Sequence, residues 1–421
     1  VDGSCRKIRE CRGGALSGVA FLGRRIPDES GAVVESKNQR YEPGLDHIRA
    51  FAASWIVVYH AFQLISAKLI HDAPFDPDQD WVISSNPLSA LITEGHTAVG
   101  LFMVLSGFVL ARAAIGSEVN YWRFIQNRLL RIYPMFIAIV LAGVALTGGT
   151  VSLDAMLMTL IPLGSVHAMA NLGPFANSLW AVSVEFQFYL LFPFLMVFLA
   201  RRGPRQLWLI ILAAIVLRAL VFGSGGDMRY VPYFTIIGRI DEFLLGILAA
   251  HFAASRRLVS PWLMIPMLAV CVGVLFAYNQ GHGYVSSAPW KLIWPTAQGA
   301  MWAAFIVIYL SVCRYMPASV SRLLSALGTI SFSMYLVHFI VVSIVVAFVG
   351  SRMAVGNDPH LLALTIGLVV VLPVTIVISR LTYAAIESPF LDLRVRYLAP
   401  CSSAVITNTR KTTSASTRST T

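Results

Sequence analysis

Runs of about twenty apolar residues, each long enough at 1.5 Å per residue to cross a hydrocarbon layer, recur along this chain between residues 48 and 383. In lipid the backbone of such a run has no solvent to bond, so each run must satisfy its own amides as a helix. Ten spans are expected, near 48–68, 97–115, 130–148, 179–200, 206–223, 233–253, 261–279, 295–313, 329–350 and 361–383. The apolar segment 151–164 is shorter and has polar flanks, which predicts an interfacial helix in a loop. Over 421 residues the chain is 57% hydrophobic and 13% charged, with a mean hydropathy of +0.71, which excludes an ordinary soluble domain. The expected fold is all-α, a polytopic membrane helix bundle. No internal repeat is visible, which argues against transporters built from inverted repeats.

The net charge of +11 does not point to nucleic acid, because the basic residues fall between the apolar runs. With both termini cytoplasmic, the inner segments hold 26 of the 32 lysines and arginines. The other six are Lys68, Arg218, Arg229, Arg239, Lys291 and Arg352. The opposite loop, 70–96, carries Asp72, Asp76, Asp78, Asp80 and Glu94 and no lysine or arginine. This alternation predicts an even number of spans with the positive side inside. Residues 1–43 read as a disordered basic cytoplasmic tail without a signal peptide, residues 44–392 as the membrane domain, and 393–421 as a Ser/Thr-rich cytoplasmic tail. Cys5, Cys11, Cys271, Cys313 and Cys401 show no metal-ligand spacing, so no metal is expected. The oligomeric state is not legible.

The first span places a histidine inside an apolar helix. Arg49 and His60 are eleven positions apart, which puts them within about 20° of one helix face and roughly 16 Å apart along the axis. A guanidinium at the membrane surface and an imidazole near mid-membrane would hold the two ends of a long substrate with a charged head. Asp46 lies one turn before Arg49, either pairing with it in a site or simply anchoring the helix.

Other ionisable groups fall at matching depths. Glu185 is expected roughly 9 Å below the outer surface and His60 roughly 12 Å, so a carboxylate on one imidazole nitrogen would leave the other as a base. Arg128 and Arg131 share a face at the same boundary as Arg49, where their forks suit phosphate and equally suit lipid headgroups. In the sixth span Arg239, Asp241 and Glu242 put three charges in four residues, more than one ion pair needs, which predicts a polar cavity there. His338 is a further intramembrane histidine, read as structural because no complementary charge can be placed beside it. Gly100, Gly107 and Ala114 repeat at seven and give the second span a small face for a neighbouring helix.

Together these motifs resemble the acyltransferase-3 family of membrane acyltransferases. The likeness runs from about residue 44 to 392 through Leu45-Asp46-x-Ile48-Arg49-Ala50, Arg49-x10-His60, Leu105-Ser106-Gly107-Phe108, Arg128-x-x-Arg131, Trp180-x4-Glu185, Arg239-x-x-Glu242-Phe243-x-x-Gly246, Tyr335-x-x-His338 and Glu387-x-Pro389. It implies transfer of an acyl group, usually acetyl, from acyl-coenzyme A to a hydroxyl of a carbohydrate, a glycolipid or a small glycosylated molecule, the family's acceptors including lipopolysaccharide, surface polysaccharide, peptidoglycan, nodulation factors and macrolides. It implies a bacterial inner-membrane setting among membrane lipids and no tightly bound cofactor. His60 matches the essential histidine, Arg49 its paired cation, and Arg128 and Arg131 the paired arginines. Asp46 would join them on the coenzyme A side, with Trp180, Arg239, Asp241 and Glu242 on the acceptor side. His47 departs from the family, where a small residue is common, and adds a titratable group at the donor face. No esterase-like domain is expected beside the membrane domain. General-base catalysis by His60 and a covalent acyl-histidine both fit. A transporter or scramblase with a polar path explains Glu185, Arg239 and Glu242 equally well, but gives no reason for the Arg49–His60 spacing.

Overall fold

The structure, a computed structural model, describes residues 38, 41–147, 151–161, 172–255, 259–350, 353 and 358–400. The expected tails therefore lie largely outside the described residues, as do residues 162–164 of the interfacial segment, whose described part includes a helix at Leu153–Leu160. The spans are α1 (Pro43–His71), α2 (Ala98–Ala114), α3 (Tyr121–Thr147), α4 (Leu179–Arg202) and α5 (Arg205–Gly223). They continue as α6 (Ile236–Ser255), α7 (Met264–Gln280), α8 (Trp294–Val312), α9 (Ser331–Phe348) and α10 (Pro359–Asp392). Among the described residues nine helices are long and apolar enough to cross a membrane. α6 has the length of a span, 20 residues, but carries Arg239, Asp241 and Glu242. The end of the bundle where α1 begins is the near end, and the other is the far end.

Local chemistry sets the helix limits. Pro43 opens α1, where its missing N–H costs nothing, and Asp72 closes it in the left-handed region with φ 52°. α3 starts nine residues before the expected span, because Tyr121–Leu129 is polar enough to lie outside lipid yet continues the same helix. α10 contains two wide π-turns, Gly367–Val371 and Tyr383–Glu387. Such turns insert an extra residue and rotate the side chains beyond them onto a new face. The second leaves Glu387 buried in the bundle.

Burial sorts the spans. Over an 18-residue apolar stretch of each span, 67% of α1 and 78% of α2 is buried, against 22% for α5, α7 and α10. The outer helices turn Leu212, Leu220, Ile265 and Leu381 outward, as lipid-facing surfaces require. At the centre, α2 and α6 approach almost backbone to backbone. A Cβ on Gly107 would sit 2.1 Å from the Phe243 carbonyl oxygen, and one on Gly246 would sit 2.0 Å from that of Val104. The small face read in α2 is therefore the seat of α6, and this contact fixes the depth of the charged span.

The chain does not end its fold with α10. Residues 393–400 turn back along the near end, where a short strand, Leu398–Pro400, pairs antiparallel with Ser117–Val119. A helix at Ala318–Thr329 lies at the same end and packs on α1, with Gly328 against the Asp46 carbonyl.

Candidate active site

His60 reaches a half-open cavity of about 470 Å³ lined mostly by aromatic side chains, among them Tyr59, Trp180, Tyr233, Tyr284, Tyr335 and Phe339. Its Nδ1 lies 3.1 Å from the Ile56 carbonyl oxygen and 3.2 Å from Nε2 of His338. The Nδ1 of His338 lies 2.6 Å from the Tyr335 carbonyl oxygen. Carbonyl oxygens only accept, so in the neutral pair each Nδ1 carries the hydrogen. His338 Nε2 then accepts from His60, and His60 Nε2 is left as a lone pair with no hydrogen-bond partner among the described residues. That atom is a base with its tautomer set by two neighbours.

The partner is not the one expected. Glu185 accepts from Tyr189 Oη at 2.6 Å and Ser106 Oγ at 3.0 Å, and among the described residues no hydrogen bond joins it to His60. Matching depth was legible, but depth leaves open the direction in which each helix faces. His338, read as structural for want of a complementary charge, is the group that orients His60. Imidazoles pair through one donor and one lone pair, and charge matching does not find such pairs.

α6 divides its three charges. Arg239 and Glu242, one turn apart, bond at 2.9 Å, and the guanidinium lies 4.4 Å from the centre of the Tyr233 ring in the cavity wall. Trp180 is 5.9 Å from the same guanidinium. Asp241, two residues from Arg239, points elsewhere and accepts both terminal nitrogens of Arg218 at 3.1 and 2.7 Å, together with Thr296 Oγ1. Arg218 also donates to the carbonyls of Leu292, Ile237 and Gly238. The expectation of a single polar cavity for all three charges is therefore corrected. Asp241 belongs to a closed, fully buried pair that joins α5 to α6, because positions two apart on a helix face nearly opposite ways.

At the near end Asp46 pairs with Arg49, which stays part-exposed. Arg131 meets Glu387 at 3.2 Å, and Ser333 bonds the same carboxylate. Arg128 lies over the rings of Phe124 and Tyr189, at 5.4 and 5.6 Å, with no hydrogen-bond partner among the described residues. His47 is turned away from this face. It is buried between Tyr309 Oη (3.2 Å) and Ser321 Oγ (3.0 Å), latching α1 to α8 and to the helix at Ala318–Thr329.

The far wall holds residues that sequence reasoning passed over. His96 bonds Glu94 at 2.8 Å, and Asn279 donates to the same carboxylate at 2.7 Å. Burial pushes the Glu94 carboxyl up, and pushes the Lys291 ammonium down to about 7. Only a histidine two residues from a glutamate, at the mouth of a span, hinted at this cluster. Among the described residues no group of histidines, cysteines and carboxylates is arranged to hold a metal ion.

The family model for an acyltransferase domain matches residues 42–380. Acyltransferase MdmB of Streptomyces mycarofaciens is 27% identical over 393 residues, covering 83% of this chain and 92% of that protein. O-acetyltransferase OatA of Staphylococcus aureus is 22% identical over 392 residues, again 83% of this chain but 57% of its own length. The chain thus spans little more than half of OatA. No solved structure matches. A match over most of the chain, on a multi-pass helical bundle with a histidine in an aromatic-lined cavity, makes this protein a member of the acyltransferase-3 family and an acyltransferase.

Proposed function

We propose that the protein moves an acyl group from acyl-coenzyme A to a hydroxyl of a carbohydrate or glycolipid, with the near end cytoplasmic. The observation that carries this reading is the unpartnered Nε2 of His60 in an aromatic cavity. The nucleotide head of the donor would rest on Arg128, Arg131 and Arg49, whose forks match phosphate oxygens. The pantetheine arm is long and thin, and the roughly 16 Å between Arg49 and His60 along α1 suits it. His60 Nε2 takes the proton of the acceptor hydroxyl as its oxygen attacks the thioester carbonyl. The C–S bond then breaks, the imidazolium returns that proton from Nε2 to the departing sulfur, and coenzyme A leaves as the thiol with His60 neutral again. Passage of the acyl group through His60 Nε2 uses the same lone pair. Flat aromatic walls with a few polar groups suit the apolar faces of a sugar ring. The name of OatA, an O-acetyltransferase, supports acetyl and an oxygen acceptor. A bacterial inner membrane fits the positive-inside pattern.

The test is to incubate purified protein in lipid nanodiscs with [14C]acetyl-coenzyme A and membrane glycans. Free thiol and labelled, alkali-labile glycan should appear together. Glycan that stays unlabelled while the same protein transports or scrambles lipid would replace this reading with the translocation one.

A further inference from the structure

Arg128 and Arg131 have a third companion that the sequence places beyond the membrane domain. The side chain of Asn127, wholly buried on α3, closes two bonds on one residue of the returning chain. Its Nδ2 donates to the Val395 carbonyl at 2.6 Å, and its Oδ1 accepts from the Val395 N–H at 2.9 Å. Asn38 repeats the pattern, donating to Val395 O and accepting from Tyr397 N at 2.9 and 2.8 Å. The Tyr397 ring sits 5.3 Å from that of Phe124, and the strand pair ties the segment down beyond it. A segment held by so many bonds places its side chains as firmly as a helix would.

Asn127 and Val395 are paired, so their chain neighbours Arg128 and Arg394 come to the same place. Arg394 lies within electrostatic reach of both Arg128 and Arg131, and burial with these two like charges pushes its guanidinium down. The acidic groups nearby are Glu387, already held by Arg131 and Ser333, and exposed Asp392. Three guanidiniums pinned together repel one another, and the fold spends several bonds to keep them there. An anion with several oxygens turns that repulsion into binding. The cluster also adjoins the cavity. Arg128 lies over Tyr189, Tyr189 bonds Glu185, and Glu185 is within electrostatic reach of Tyr335 in the cavity wall.

We propose that the strap formed by residues 393–400 is a wall of the donor site, and that Arg394 binds a phosphate group of the acyl donor together with Arg128 and Arg131. The inference rests on the acyl-coenzyme A reading above. A phosphate could also come from a lipid headgroup, but continuity with the His60 cavity favours the donor.

The experiment measures coenzyme A binding by calorimetry to the full chain in phosphatidylcholine nanodiscs, with pantetheine as a probe lacking every phosphate. Arg394→Gln should raise the Kd for coenzyme A roughly ten- to a hundredfold and leave pantetheine unaffected. Arg394→Lys should fall between, and it carries the test if the glutamine variant does not fold. Arg396→Gln, on the exposed side of the same strap, should bind like wild type. Unchanged coenzyme A affinity in Arg394→Gln overturns the proposal. So does an equal loss in Arg396→Gln, which would mean a merely structural strap. Loss of a preference for phosphatidylglycerol discs, with coenzyme A binding intact, would assign the cluster to lipid and also overturn it. Wild-type protein that binds no coenzyme A would remove the donor reading itself, a result distinct from failure of Arg394 alone.

Discussion

His60 on α1 and Asp241 on α6 are both ionisable side chains inside the bundle, and their surroundings treat them in opposite ways. On α6, Asp241 meets Arg218 with two bonds, and every remaining direction of the guanidinium is met by a carbonyl or by Thr296. Within that pair nothing is left to react, although Glu242, one turn from Arg239 on the same helix, keeps one carboxylate oxygen without a partner among the described residues. On α1, His60 has one nitrogen held by Ile56 and His338, while the other opens into a cavity. Both groups are costly in lipid. A closed pair returns that cost as helix docking, whereas a half-satisfied imidazole keeps one valence for a substrate. Intramembrane charge alone therefore does not mark a site; an unmatched atom beside open space does.

The contrast breaks if the two helices respond alike to mutation. The largest expected effect is on α1. His60→Ala should lower transfer by about a thousandfold or more, within the range for losing a general base, while the melting temperature in nanodiscs stays close to wild type. Acylation at the wild-type rate by a well-folded His60→Ala protein would end the assignment.

On α6 the damage should be to folding. Asp241→Ala leaves a buried, unpaired guanidinium and should cost about 3–5 kcal/mol, read as lower yield and an earlier thermal transition. Adding Arg218→Met should recover much of that loss, and the non-additivity of the double-mutant cycle measures the pair. Losses that simply add would mean the pair is not closed in solution.

A smaller effect sharpens the α1 side. His338→Phe removes the acceptor for His60 Nδ1–H and should reduce kcat roughly ten- to a hundredfold, as misplacement of a catalytic group does, with the KM for donor unchanged. His338→Gln offers a carbonyl oxygen in its place and should fall between. Equal activity in all three would leave the Ile56 carbonyl as the sole orienting group.

The smallest expected effect is at the far wall. Burial lowers Lys291 from the usual lysine range to about 7, so between that pH and about 10.4 the unfolded chain holds a proton that the folded one lacks. Stability should rise with pH through this window, by at most about 2 kcal/mol between pH 7 and 9. Lys291→Met should flatten the slope. Glu94, pushed up by burial, contributes the opposite sign, stability lost as pH rises, and its share should persist in the variant. A melting temperature independent of pH in both proteins would show Lys291 to be solvated.

What the residues alone determined is everything that depends on distance along one helix. The helical spans (nine of them long and apolar enough to cross a membrane among the described residues), the Arg49–His60 spacing, the Arg239–Glu242 pair and the small face of α2 all come from a fixed rise and a fixed turn per residue. The membrane enforces that geometry by forbidding any other backbone. What only the tertiary structure decided is which face meets which. Glu185 and His60 are expected at matching depth along their helices but bond to different neighbours. His338 lies 278 positions from the imidazole it orients, and Asp241 leaves its own helix neighbours for Arg218 on α5. Arg394 enters the near-end cluster only because Asn127 and Asn38 fold the strap back. Rotation about each helix axis is set by packing, such as the backbone contact of Gly107 with Phe243, and no periodicity within a single helix encodes it.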